Sequence, residues 1–351
     1  MSNRRLTDHP LFQLTQVRYR EFFREPEAVF WVFIFPVLLA AGLGIAFRNR
    51  APERAAVGVV AVNSGAARLV EGLRGSAALQ VSVLSESAAA EALRTGEVSL
   101  VLVPAPDGRI EYRYDDTRPE SRIARLMVDD ALQRSAGRRD PVPVGDRLVH
   151  ERGSRYIDFL VPGLLGMNLM GSGIWGVGFA IVDARKKRLL KRLIATPMSR
   201  PQYLASFVLS RLTLLVIEVG LLLGFGALVF GVPLRGSLVV LVAICLVSSL
   251  AFTSLGLLVS SRVQTMEGAS GLMNLVMLPM WIFSGVFFSA SRFPDSLQPF
   301  IQALPLTAVV DALRANILRG AGLQAVAPEL TIILAWLVLS FVLALKLFRW
   351  R

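Results

Sequence analysis

Apolar and polar positions divide the chain into six long apolar windows and one long polar interval. Windows of about 20 apolar residues can cross the roughly 30 Å hydrocarbon layer as helices. They run from Ala28 to Phe47, Phe159 to Val182, Tyr203 to Phe230, Leu238 to Ser261, Leu272 to Ser289 and Leu330 to Phe348. The expected fold class is therefore an α-helical integral membrane protein with six transmembrane helices. The first window follows 27 residues, a longer leader than a cleavable signal usually has, so it is expected to be a retained anchor.

The polar interval, residues 48–155, changes its periodicity from segment to segment. Ala56 to Val62, Leu79 to Leu84, Val98 to Val103 and Arg109 to Tyr114 read as strands. Between and after them, Ala66 to Arg74, Ser87 to Thr95 and Pro119 to Ser135 read as helices. In the last of these Ile123, Leu126, Met127, Asp130 and Leu132 lie at near-helical spacing. The expectation is an α/β domain inserted between the first and second spans on the extracytoplasmic side. Residues 1–27 hold a further pattern: at 100° per residue, Leu11, Phe12, Tyr19, Phe22 and Phe23 face away from Gln13, Gln16, Arg20 and Arg24. This predicts an interfacial helix on the cytoplasmic side, its apolar stripe in lipid or packed on another protein.

Composition narrows the function classes. Of 351 residues, 54% are hydrophobic and 18% charged, the mean hydropathy is +0.54, and the net charge is +12. A soluble domain carries about 25% charged residues, so an ordinary soluble enzyme is excluded. A single cysteine, Cys245, and two histidines, His9 and His150, leave no disulfide and no Cys/His-built metal site. Basic residues in such a chain mark cytoplasmic loops rather than a nucleic-acid partner. With the amino terminus inside, sixteen Lys/Arg fall on the cytoplasmic short segments against four on the opposite ones, Arg235, Arg292, Arg314 and Arg319. A multi-pass protein of the cytoplasmic or inner membrane with both termini cytoplasmic is expected. Half of the net +12 lies in Asp183 to Gln202 alone.

That loop carries the pattern DARKKRLLKRLIATPMSRP over residues 183–201. Leu189, Leu190, Leu193 and Ile194 form one face of a short helix and Arg188, Lys191 and Arg192 the other, and Pro197 ends it. Such a helix either transmits force from a cytoplasmic partner to two spans or anchors the topology. Gly171, Gly173 and Gly176 match GxGxxG, but they lie inside an apolar span without the strand a dinucleotide site needs. Close helix packing is the expected role. No lysine follows a glycine, so there is no P-loop. Glu218 stands in the third span, where a charged carboxylate costs about 3 kcal/mol. It is either a pathway or gating residue or the partner of Arg211, seven positions earlier. Gly220 and Gly224 beside it form a small-xxx-small ridge suited to a helix or dimer interface. Asn168 and Asn274 either line a path or bond to neighbouring helices.

Taken together, these features resemble the type-2 ABC exporter permeases. Leu193, Ile194, Ala195, Thr196 and Pro197 are similar to the coupling motif of that family. Asp158 with Pro162, and Leu304 to Thr307 followed by Asp311 to Arg314, also resemble it. The resemblance implies a division into an interfacial helix (1–27), a first span (28–47), an extracytoplasmic α/β domain (48–155) and a region of five spans (156–351). Within the last lie a coupling helix (183–201) and short outer-leaflet helices (292–320). It implies that Arg185, Lys186, Lys187, Arg188, Leu189, Leu190, Leu193, Ile194, Thr196 and Pro197 couple to an ATPase. Candidate pathway or gating residues are Glu218, Asn168, Asn274, Asp158, Asp311 and Arg314. The chain itself would be no enzyme and bind no cofactor. ATP and Mg would sit on a separate ABC ATP-binding subunit, and a second permease copy, identical or different, would complete the path for an amphiphilic substrate such as a drug, lipid or lipid-linked molecule. A receptor or assembly protein with an outer sensing domain would leave five further spans unexplained. A secondary transporter would be expected to show inverted repeats, which are not seen.

Overall fold

The computed structural model describes residues 10–47, 54–61, 65–105, 109–139, 141–142, 153–186 and 200–347. It consists of two compact units, Met1–Arg48 with Val149–Arg351, and Asn49–Leu148.

The first unit opens with α1 (Pro10–Arg24) and α2 (Pro26–Ala46). Phe30–Ile34 of α2 form a π-helical turn just ahead of Pro36, which has no N–H to continue the helical ladder. Instead of turning one whole stripe to lipid, α1 lies along a later helix of the same unit. Thr15 is buried, and Tyr19 Oη donates to Thr213 Oγ1. Phe22 meets Phe33 edge-on with ring centroids 5.8 Å apart. Phe12, Val17 and Phe23 stay exposed. The expected stripe is thus split, because an amphipathic helix next to a bundle has two apolar surroundings to satisfy.

The second unit is an α/β layer structure: β1 (Ala55–Val60), α3 (Gly65–Arg74), β2 (Leu79–Leu84), α4 (Glu86–Thr95), β3 (Leu100–Pro104), β4 (Ile110–Arg113) and α5 (Pro119–Ser135). The sheet order is β2-β1-β3-β4; β1 is parallel to β2 and β3, and β4 runs antiparallel to β3. Alternation divides the side chains between two faces. Val57, Val59, Leu100 and Leu102 pack with Leu73 of α3 and with Ala124 and Val128 of α5. Val60 and Val101 pack with Ala89 and Ala92 of α4. Ser85 caps α4, accepting from Ala88 N at 3.3 Å, and Gly96 closes it at φ 79°. The expected helix Pro119–Ser135 is present as α5, which turns Ser121, Ala124 and Val128 inward and leaves Ile123, Leu126 and Met127 exposed at 51%, 65% and 36%. Small inward residues let the helix lie close on the sheet, and the bulkier stripe faces out.

The remaining helices return to the first unit: α6 (Tyr156–Lys186), α7 (Arg200–Phe230), α8 (Leu238–Ser260), α9 (Met266–Phe283), α10 (Gln298–Ala303), α11 (Pro305–Arg319) and α12 (Ala327–Leu347). Among the described residues, five helices are long and apolar enough to cross a membrane, in α2, α6, α7, α8 and α12, or up to six if the pair Asp295–Ala303 and Pro305–Arg319, bent by 84°, counts as one. The window expected to form a fifth span at Leu272 to Ser289 is not among them. Its helix, α9, starts earlier, with Glu267 in its first turn, and ends where Gly285 takes φ 74°.

The core lies around α6. Leu160, Leu164, Leu165, Leu169, Met170 and Ile174 are fully buried, and α2, α7, α8, α9 and α11 all pack on it. Glycines set the approach distances. A Cβ on Gly163 would meet Val286 O at 2.5 Å, and one on Gly173 would meet Phe252 Cβ at 2.7 Å. Of the GxGxxG glycines, Gly173 is such a contact, whereas Gly176 faces open space. On the other side, a Cβ on Gly256 of α8 would lie 2.8 Å from Ile174 O and 3.0 Å from Gly173 O. These are backbone atoms of α6, which cannot yield locally. Gly256→Ala should therefore destabilise the chain by about 1–3 kcal/mol and lower its Tm in lipid nanodiscs. Gly176→Ala, in open space, should hold or raise the Tm, since Ala is the better helix former. An unchanged Tm for Gly256→Ala would show that the two helices are not in backbone contact.

Candidate functional site

The third span places one acid and one base on the same face of α7. Arg211 and Glu218 are seven residues apart, two helical turns, and Arg211 Nη1 donates to Glu218 Oε1 at 2.8 Å. Neighbouring helices supply hydroxyls. Arg211 Nη2 donates to Ser172 Oγ of α6 at 2.5 Å, and Arg211 Nε donates to Ser249 Oγ of α8 at 3.3 Å. Ser172 Oγ lies 2.6 Å from Asn168 O and 3.2 Å from Glu218 Oε2, its one proton serving one of them at a time. One turn earlier on α6, Asn168 Nδ2 donates to Val32 O of α2 at 3.0 Å. Val32 is four residues before Pro36 and so lacks the N–H that the helical ladder would offer it. A continuous polar line thus joins α2, α6, α7 and α8. Glu218 is 1% exposed, so the structure places it in the ion pair with Arg211.

A second cluster surrounds the start of α6. Asp158 is fully buried, and its Oδ2 accepts from Gly153 N at 2.8 Å, Arg155 N at 3.1 Å and Arg155 Nε at 2.9 Å. This acid at the third helical position satisfies N–H groups that the helix start leaves unpaired. Arg155 Nη2 donates to Asp158 Oδ1 at 2.7 Å and to Gly231 O at the end of α7 at 3.3 Å. The carboxylate raises the Arg155 guanidinium above its ordinary pKa. On α11, Arg314 lies over the Phe159 ring at 3.5 Å. It donates to Phe159 O at 3.1 Å and to Gly285 O at 2.6 Å, so it ties α11 to α6 and to the turn after α9. Asp311 is exposed on the same helix, and Asn274 is half-buried on α9. Neither takes part in these bonds.

At the other end of α6, the Arg185 guanidinium is bound to carbonyls at and just beyond the C-terminus of α8. Nη1 donates to Ser260 O at 3.2 Å and to Val263 O at 2.5 Å, and Nη2 donates to Ser261 O at 3.2 Å. Burial lowers its pKa from the ordinary arginine value. Lys186 follows it and is exposed. Lys187, Arg188, Leu189, Leu190, Leu193, Ile194, Thr196 and Pro197 lie outside the described residues.

Sequence reasoning did not single out Ser172, Ser249, Arg155 or Phe159. Hydroxyls inside apolar windows are too common to mark a partner. The three-residue spacing of Arg155 and Asp158 is the signal that could have found that pair. Among the described residues no group of three or more His, Cys, Asp or Glu could hold a metal ion. Removing one member of the ion pair should expose its cost. Glu218→Ala leaves a buried unpaired guanidinium and should destabilise by about 3–5 kcal/mol, whereas the apolar double replacement Arg211→Met with Glu218→Leu should recover most of that loss. Thermal melts of the three proteins in nanodiscs check this. A double variant at least as unstable as the single one would contradict the pairing.

Residues 27–346 match the family described as ABC-2 family transporter protein. The chain is 28% identical over 256 residues to ABC transporter G family member 20 of Dictyostelium discoideum, covering 69% of this chain and 34% of that protein. It is 28% identical over 205 residues to nodulation protein J of Bradyrhizobium diazoefficiens, covering 57% and 76%. To the linearmycin resistance permease protein LnrN of Bacillus subtilis it is 27% identical over 174 residues, covering 50% and 45%. The matched part therefore spans less than half of two of these three relatives.

Proposed function

The chain belongs to the ABC-2 family of transporter proteins, and on that premise we propose that it is the permease subunit of an ATP-driven exporter. The match over residues 27–346 carries this reading. Membership makes it a multi-pass membrane protein that serves as a transport subunit. Export is supported by the relative whose name is that of a resistance permease and by the basic loop of residues 183–202, which favours a cytoplasmic position. Both termini then lie in the cytoplasm, and the α/β unit lies outside. The substrate is amphiphilic, a drug, lipid or lipid-linked molecule, in keeping with a chain that places few ionisable groups in its apolar windows.

On this reading a separate ABC subunit binds ATP and Mg and hydrolyses the nucleotide. A second permease copy, identical or not, completes the path. Closure of the ATPase pair pushes on residues 183–201 and shifts α6 and α7 against their counterparts, a switch between two packings of one bundle. Lys186, Lys187 and Arg188 of the charged stretch have no acid among them, so the ATPase groove that receives them is acidic.

The test is co-purification with the cognate ATPase in lipid and hydrolysis with amphiphiles added. The exporter reading expects a stable complex and hydrolysis stimulated by a subset of the compounds; no complex, or a flat response to every amphiphile, contradicts it. Leu190→Glu and Leu193→Glu should leave insertion intact and reduce the stimulation to that of the ATPase alone. Full stimulation in both variants would remove this loop from the coupling.

A further inference from the structure

The predicted role of Arg185, a cation offered to a cytoplasmic partner, does not match where its guanidinium lies. We propose that Arg185 is a positioning residue that makes the cytoplasmic end of α6 and the junction between α8 and α9 one mechanical body, so that force entering at residues 187–199 reaches four helices rather than two. This rests on the exporter reading for the origin of the force, but the tie itself does not.

The geometry is specific to arginine. Three carbonyls, those of Ser260, Ser261 and Val263, converge on its Nη1 and Nη2. A helix C-terminus leaves its last carbonyls without N–H partners and carries partial negative charge. A planar, permanently charged fork satisfies several of them at once. Two features make the junction stiff enough to follow. Ser260 Oγ donates back to Gly256 O at 2.7 Å, and Gly256 sits against the backbone of Gly173 and Ile174, so α8 is held close along α6. Two residues beyond Val263, Thr265 caps α9, its Oγ1 accepting from Gly268 N at 3.1 Å. A displacement of Val263 O is therefore a displacement of the start of α9. At its far end α9 runs into Gly285, whose carbonyl is held by Arg314 together with that of Phe159. One arginine at each end thus binds α9 to α6.

The alternative is that Arg185 only neutralises a helix end. In that case its loss costs stability but does not free the two loops from one another. Distances between spin labels at Ile181→Cys and Gln264→Cys, with the buried Cys245 replaced by Ala, separate the two. For the chain alone in nanodiscs we expect one narrow distribution with Arg185, and a broad one with Arg185→Gln. In the complex with the ATPase, ATP and vanadate should leave the distance unchanged with Arg185. With Arg185→Gln it should lengthen by about 5 Å, one helical turn, while the ATPase still co-purifies and stimulated hydrolysis is lost. Arg185→Lys, which keeps the charge and loses the fork, should move the same way by less and serves if Arg185→Gln does not insert. Equal distributions for Arg185, Arg185→Gln and Arg185→Lys in the chain alone would overturn the tie. A wild-type chain that binds no ATPase would instead overturn the exporter reading, the chain-alone distances still deciding the role of Arg185.

Discussion

Hydrocarbon offers no water to a polar group, so every donor and acceptor within the bundle has to find its partner in the protein. In the helical unit, the partners of the buried charged side chains Glu218 and Arg314 lie partly on α6. Its side chains Asn168 and Ser172 accompany the ion pair of α7, and its backbone carbonyl at Phe159 receives Arg314. Its last turn supplies Arg185 to the end of α8. Apolar burial alone would let neighbouring helices slide along one another, because dispersion contacts are non-directional. Hydrogen bonds to single carbonyls fix register as well as proximity. Glycines at 163, 173 and 256 bring the backbones close enough for these short ties to span the gap.

Proline and glycine mark where the fold departs from regular helix, and polar side chains then fill the breaks. Pro36 leaves the Val32 carbonyl to Asn168, and Gly285 ends α9 so that its carbonyl turns to Arg314. For a transport subunit this arrangement has a mechanical meaning. Places where the helical ladder is interrupted are places where a helix can bend, and these two are bridged by side chains from other helices. On the proposed reading, motion delivered at the cytoplasmic face is then shared among helices rather than absorbed by one.

Much of the architecture was legible in the sequence, for definable reasons. Runs of apolar residues marked α2, α6, α7, α8 and α12, because a span needs length and little else. The change from short apolar or alternating runs to helical spacing located the strands and α4 within a residue or two. What stayed hidden depended on which face a helix presents. Ile123, Leu126 and Met127 have the spacing of a core stripe, yet the smaller Ser121, Ala124 and Val128 occupy the interior. The window at Leu272 to Ser289 is apolar enough to suggest a span, and its helix α9 is displaced toward the amino terminus, ending at Phe283 ahead of Gly285. In the candidate site, the charge of Glu218 and its spacing from Arg211 offered a pair as one of two readings. The hydroxyls of Ser172 and Ser249 could not be foreseen, because only the tertiary fold brings α6 and α8 to Arg211. Arg185 looked like a docking cation because a sequence shows its charge but not the helix end beside it.

The central claim is that α6 is the member to which the rest of the bundle is tied. Hydrogen–deuterium exchange of the chain in nanodiscs, with the ATPase bound and in both nucleotide-free and ATP-trapped states, tests it most directly. The account predicts that peptides covering residues 160–174 exchange more slowly than those of α12 and keep the same protection in both states. Faster exchange in residues 160–174 on trapping, while α12 stays protected, would contradict it.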